Sequence, residues 1–109
     1  MNYKVFLEQI KELRFEELRE DKPGYLEFVI GTNHLNNLSS ILESYYGAAY
    51  ASPDKKPSRQ AKKYADPYGG IKKGQTLYYL DKGEVFHCAL LWPWGNGEAT
   101  TVKIFCKNY

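Results

Sequence analysis

The residues best equipped for chemistry in this 109-residue chain are His34, His87, Cys88, Cys106 and a set of lysines and tyrosines between positions 50 and 73. A thiol and an imidazole make a nucleophile only when they lie within hydrogen-bond reach and a third group orients the base. His87 and Cys88 are sequence neighbours, so in a strand they point to opposite faces. No nucleophile elbow, Cys-x-x-Cys pair or cluster with zinc-ligand spacing accompanies them. Glu8, Glu12, Glu16, Glu17 and Glu20 are mixed with Lys11, Arg14 and Arg19, the composition of a solvated face with i, i+4 ion pairs. Catalysis by a small enzyme is therefore the third reading of these residues, and none of them calls for a cofactor or a metal.

The cationic side chains are distributed unevenly. The formal net charge is +2, yet residues 54–73 hold seven basic and two acidic side chains, while residues 1–31 hold five basic and seven acidic. Lys55, Lys56, Arg59, Lys62, Lys63, Lys72 and Lys73, with Tyr50, Tyr64 and Tyr68 interleaved, form the candidate anion-binding segment, because charge so concentrated acts on phosphates without reading sequence. The run Gly69-Gly70-Ile71-Lys72-Lys73-Gly74 is not a phosphate cradle: it lacks the Walker spacing and leads into a strand, so no helix N-terminus would face the anion.

The elements that must position these groups follow from periodicity. Tyr3, Phe6, Leu7, Ile10 and Leu13 recur at helical spacing and predict an amphipathic helix. Leu13, Phe15 and Glu17 then alternate with Arg14 and Glu16 as a strand would, but Phe15 and Leu18 also suit another helical turn, and helix to about residue 19 is the expectation. Asp21-Lys22-Pro23-Gly24 is turn chemistry, followed by a strand over 25–30 with Leu26, Phe28 and Ile30 on one side. A second helix is expected over 33–46, capped by Thr32 or Asn33, striped by Leu35, Leu38, Leu42, Tyr45 and Tyr46, and stopped at Gly47. Residues 48–74 read as a long basic loop with a short helix at 58–64 capped by Ser58. Three strands, 75–80, 84–91 and 98–107, complete a C-terminal antiparallel meander.

Hairpin loops of Lys82-Gly83 and Gly95-Asn96-Gly97 would fix the register of that meander. Leu77, Tyr79, Phe86, Cys88, Leu90, Val102, Ile104 and Cys106 would then share the core face, with Cys88 and Cys106 as diagonal neighbours poorly placed for a disulfide. The other face would align Tyr78, His87 and Phe105 in one row flanked by Lys103 and Lys107. Rings beside cations are the layout of sheets that stack unpaired bases, and equally of a face that a loop or a second subunit covers. Trp92-Pro93-Trp94 would close one end of the core, with Pro93 placing the strand at an edge or ending it there.

The expected fold is a single α+β domain over 1–109, with two helices packed on one face of an antiparallel sheet. The expected function is a small non-enzymatic binding or protein-interaction module, homodimeric through the Tyr78, His87, Phe105 face. Single-stranded nucleic-acid binding by that face and the basic loop is the second reading. The chain has no run near the roughly 20 apolar residues of a membrane span and no signal-peptide design, so no membrane partner and a cytoplasmic location are expected.

Overall fold

The structure is a computed structural model and describes residues 2–54 and 56–108. Helix α1 (Tyr3–Lys11) starts where the Asn2 side chain accepts a hydrogen bond from the Val5 N–H, and it buries Phe6 and Ile10. It ends well short of residue 19 because the next segment has a better partner. Strand β1 (Glu17–Lys22) folds back antiparallel on β2 (Tyr25–Gly31), Lys22 opposite Tyr25, through the two-residue Pro23-Gly24 turn. Pro sets φ at the second turn position and Gly24 takes φ +80° at the third, so turn chemistry overrides the helical spacing of Phe15 and Leu18. All six β1 residues are exposed, and its charged side chains suit an edge strand, which must resist pairing with other chains.

A 3-10 turn (Thr32–His34) leads into α2 (Leu35–Tyr46), which Gly47 terminates. Neither Thr32 nor Asn33 caps it: the helix has no side-chain cap, and Thr32 instead donates from its hydroxyl to the Gly97 carbonyl at 2.6 Å. Ser58 does cap α3 (Arg59–Ala65), accepting from the Ala61 N–H. Strands β3 (Thr76–Asp81), β4 (Val85–Pro93) and β5 (Ala99–Asn108) form the meander. The whole sheet is antiparallel, in the order β1-β2-β5-β4-β3.

Both faces of this α+β sheet are covered. As expected, α1 and α2 lie together on one face, where Phe6, Ile10, Leu38, Leu42, Tyr45 and Tyr46 meet Leu26, Phe28, Ile30, Tyr78, Ala89, Leu91, Val102 and Ile104. Segment 48–74 is a second layer on the other face. There Ala61, Ala65 and Ile71 meet Leu77, Phe86, Cys88, Leu90 and Phe105, with Tyr25, Tyr64, Tyr68 and Tyr79 around them. Ala51 bridges to Leu77 and so ties the start of that segment to the free edge of β3.

Register differs from the sequence expectation in two ways with different consequences. Between β3 and β4 the loop is Gly83-Glu84, closed by the Lys82 N–H donating to the Val85 carbonyl, so Tyr78 faces Ala89 and Leu80 faces His87. That is a slide of two places and changes no side chain's face. Between β4 and β5 the loop takes in Glu98: Trp94 N–H donates to the Ala99 carbonyl, His87 lies opposite Cys106, and Cys88 opposite Phe105. One residue more in the loop moves every β5 side chain to the other face. Pairing with β2 requires the same parity, since Leu26 meets Ile104 and Phe28 meets Val102 on the α1/α2 side.

Cys88 and Cys106 therefore lie on opposite faces rather than sharing one. Pro93 sits beyond the end of β3, which pairs only as far as Leu91, so its missing N–H interrupts no ladder. Trp92 is half-buried against Gly69, whereas Trp94 stays exposed, its indole N–H donating to the Thr101 hydroxyl at 3.0 Å. Among the described residues, no helix is long and apolar enough to cross a membrane.

Candidate functional site

The predicted row does not form. Tyr78 and His87 face α1 and α2, Phe105 faces segment 48–74, and all three are buried, Phe105 completely. Lys103 and Lys107 do flank Phe105 on its own strand, on the face away from His87. The cause is the parity of the β4–β5 loop, since an even-numbered connection reverses the alternation that an odd one would give.

His87 sits edge-on to Tyr3 at 4.6 Å between ring centroids, and its Nδ1 lies 3.3 Å from the Tyr45 hydroxyl. Burial, and then the charge of Lys82, lowers its pKa, which keeps the imidazole neutral at pH 7. Cys106, expected on the opposite face, is directly across from His87. Burial, reinforced by Cys106 and Tyr45, raises the Tyr3 pKa well above the usual range for a phenol. Among the described residues no hydrogen bond joins His87 to Cys106, and neither His87 nor His34 lines any of the five main surface clefts. The described residues also include no group of three His, Cys, Asp or Glu side chains able to hold a metal. What the cluster does physically is satisfy a buried imidazole.

Lys103 is committed to structure. Its Nζ donates to the Tyr68 carbonyl at 2.8 Å and lies 3.6 Å from the centre of the Trp92 ring. Burial lowers its pKa, with Glu27 opposing that shift. The clamp holds Tyr68 flat on Phe105 at 3.7 Å and beside Tyr25 at 5.5 Å. Gly69 completes it: with φ at +105°, and with Trp92 only 2.4 Å from where a Cβ would stand, no other residue fits.

The described residues of the basic segment include α3. Lys56, Arg59, Lys62, Lys63, Lys72 and Lys73 are all exposed, and Lys55 lies outside the described residues. Gln60, Lys63, Tyr64 and Pro67 follow one another at i, i+3, i+4 and i+7, which puts them on one side of the helix and its extension. That side forms a groove of about 330 Å³ with Phe86, Lys107 and Asn108. Phe86 and Lys107 meet there because they are paired across β4 and β5. Tyr64 stacks on Tyr79 at 4.5 Å, which fixes its ring.

The structure thus unites Lys63, expected in the loop, with Lys107, expected on the sheet face. It adds Gln60, Pro67 and Asn108, which sequence reading did not single out, and Phe86, which was expected on the core face. The helical spacing from Gln60 to Pro67 was a signal for the first two; Phe86 and Asn108 depend on register alone. A wider, more open cleft of about 590 Å³ lies on the other side of Pro67, between the Pro23-Gly24 turn and Tyr68. No protein-family model matches the chain, and no curated protein or solved structure matches it.

Proposed function

We propose that this chain is a non-enzymatic binding module whose working surface is the α3 side of the sheet and whose partner is anionic. The observation that carries this reading is a difference in ion pairing. On the acidic N-terminal part three of the five cations are paired, Lys11 with Asp21, Arg19 with Glu17 and Glu27, and Lys22 with Glu20. Among the described residues, Lys56, Arg59, Lys62, Lys63, Lys72, Lys73 and Lys107 enter no ion pair and are all exposed. Cations in excess over carboxylates and held in no ion pair set up a positive potential that draws an anionic surface or polymer and raises its rate of encounter. Tyr78, His87 and Phe105 are buried, so the surface open to a partner on the α3 side of the sheet is the layer that covers it.

Retention on heparin resin tests it. The protein should bind at low salt and elute as ionic strength rises, and Lys62→Glu with Lys63→Glu should shift elution to markedly lower salt without altering the circular dichroism spectrum. Flow-through of the unmodified protein at low salt would remove the reading.

A further inference from the structure

We infer that the groove beside α3 takes an unpaired base of a single-stranded nucleic acid, with the neighbouring lysines holding its phosphates. This rests on the reading of the α3 side as an anion-binding surface and names its ligand.

The groove combines three features that a generic basic patch lacks. It has an aromatic wall: Phe86 lines it and Tyr64 is held in position by its stack on Tyr79. Cations stand on both sides of that wall, Lys63 from α3 and Lys107 from β5. Two amide side chains, Gln60 and Asn108, lie in the same lining, where each can donate and accept hydrogen bonds at a base edge. Its volume of about 330 Å³ falls at the small end of ligand-sized pockets, enough for one planar ring system with its sugar.

Proteins that hold single strands without strong sequence preference combine a positive groove with rings on which bases stack. Charge argues for a polymer over a single anionic residue. Lys63 and Lys107 would suffice for one phosphate, yet Arg59 and Lys62 add exposed cations on α3 itself, and Lys56, Lys72 and Lys73 add more within segment 48–74. A chain with a charge at every nucleotide uses such a surface, whereas a peptide with one phosphotyrosine uses only its groove end. Duplex nucleic acid keeps its bases stacked inside and offers none to the ring.

Fluorescence anisotropy with labelled oligo(dT) and oligo(rU), at low and moderate salt, tests the inference beside two controls: inorganic polyphosphate as competitor, and a labelled phosphotyrosine peptide. The oligonucleotides should bind with an affinity that falls steeply with salt, and polyphosphate of equal charge should compete at least tenfold less well, because it supplies phosphates without bases. Tyr64→Leu, which keeps an apolar side chain, should weaken oligonucleotide binding about tenfold and leave polyphosphate binding unchanged. Lys63→Glu with Lys107→Glu should weaken both. Polyphosphate or the peptide binding as tightly as the oligonucleotides, with no effect of Tyr64→Leu on oligonucleotide affinity, would overturn the inference and leave the anion-binding reading standing. No binding of any of these anions at low salt would overturn both.

Discussion

The two layers that cover the sheet are built from different materials. On one face, α1 and α2 drive large side chains into the core, with Phe6 stacked on Tyr45 at 4.4 Å. On the other, α3 is only seven residues long and meets the sheet through Ala61 and Ala65, while Tyr64 and Tyr68 lay their rings flat beside it. Large apolar residues at helical spacing announce a buried face from the sequence, because burying each yields roughly 1.5–3 kcal/mol. Two alanines among lysines announce nothing, although they let the helix approach closely and leave its remaining surface to carry charge. The first layer is therefore chiefly structural, and the second combines cover with the candidate binding surface.

The sharpest way to break the comparison is to exchange what the two layers bury. Deleting Lys103 from within β5 carries residues 104–108 to the opposite faces, so that Phe105 confronts α1 and α2 while Ile104 confronts α3. We expect loss of the cooperative urea transition. Deleting Glu98 instead shortens the β4–β5 loop to three residues, a common hairpin connection, and loses the hydrogen bond from the Thr32 N–H to its carbonyl. That variant should retain the transition at a loss of about 1 kcal/mol. Equal damage from the two deletions would mean that loop length, not the side chains facing the two layers, sets the register.

Truncation within each layer comes next. Phe6→Ala, at a fully buried site, should lower stability by about 3–5 kcal/mol, and Tyr68→Ala, at a half-buried one, by roughly 1–3 kcal/mol. Urea unfolding followed by circular dichroism measures both, and a larger loss for Tyr68→Ala would reverse the ranking of the layers.

Acid should act through the α1/α2 layer. His87 titrates below its usual 6.5 when folded, so as pH falls through 6.5 the unfolded chain takes up a proton first and stability declines until the folded pKa is passed. Above 6.5 this group contributes no slope. The decline is at most about 1.4 kcal/mol per pH unit and should vanish in His87→Gln. An identical acid profile in that variant would assign the decline to other groups.

Thiol labelling gives the smallest and most local comparison. Cys88 is fully buried beneath the α3 layer, where burial pushes its thiol up to about 12, while Cys106 is half-buried beside Tyr3. Native protein should react with one equivalent of a thiol reagent quickly, and Cys106→Ser should remove that phase. Fast reaction of Cys88 in that variant would mean that the α3 layer opens on the timescale of labelling.

Periodicity alone determined much of this molecule. The stripe from Leu35 to Tyr46, the Pro23-Gly24 turn, the Ser58 cap and the three meander strands are local patterns, and each stands where its residues put it. The concentration of charge in 54–73 was equally legible, since counting requires no fold. Tertiary structure decided which face each β5 residue occupies, because that turns on the parity of one loop and on pairing with β2, a partner remote in sequence. It also decided that α3 covers the sheet and that Lys63 and Lys107 flank a single groove. Helical and strand periods are set by backbone geometry within a few residues, whereas the neighbours of a side chain across a sheet depend on how distant segments align.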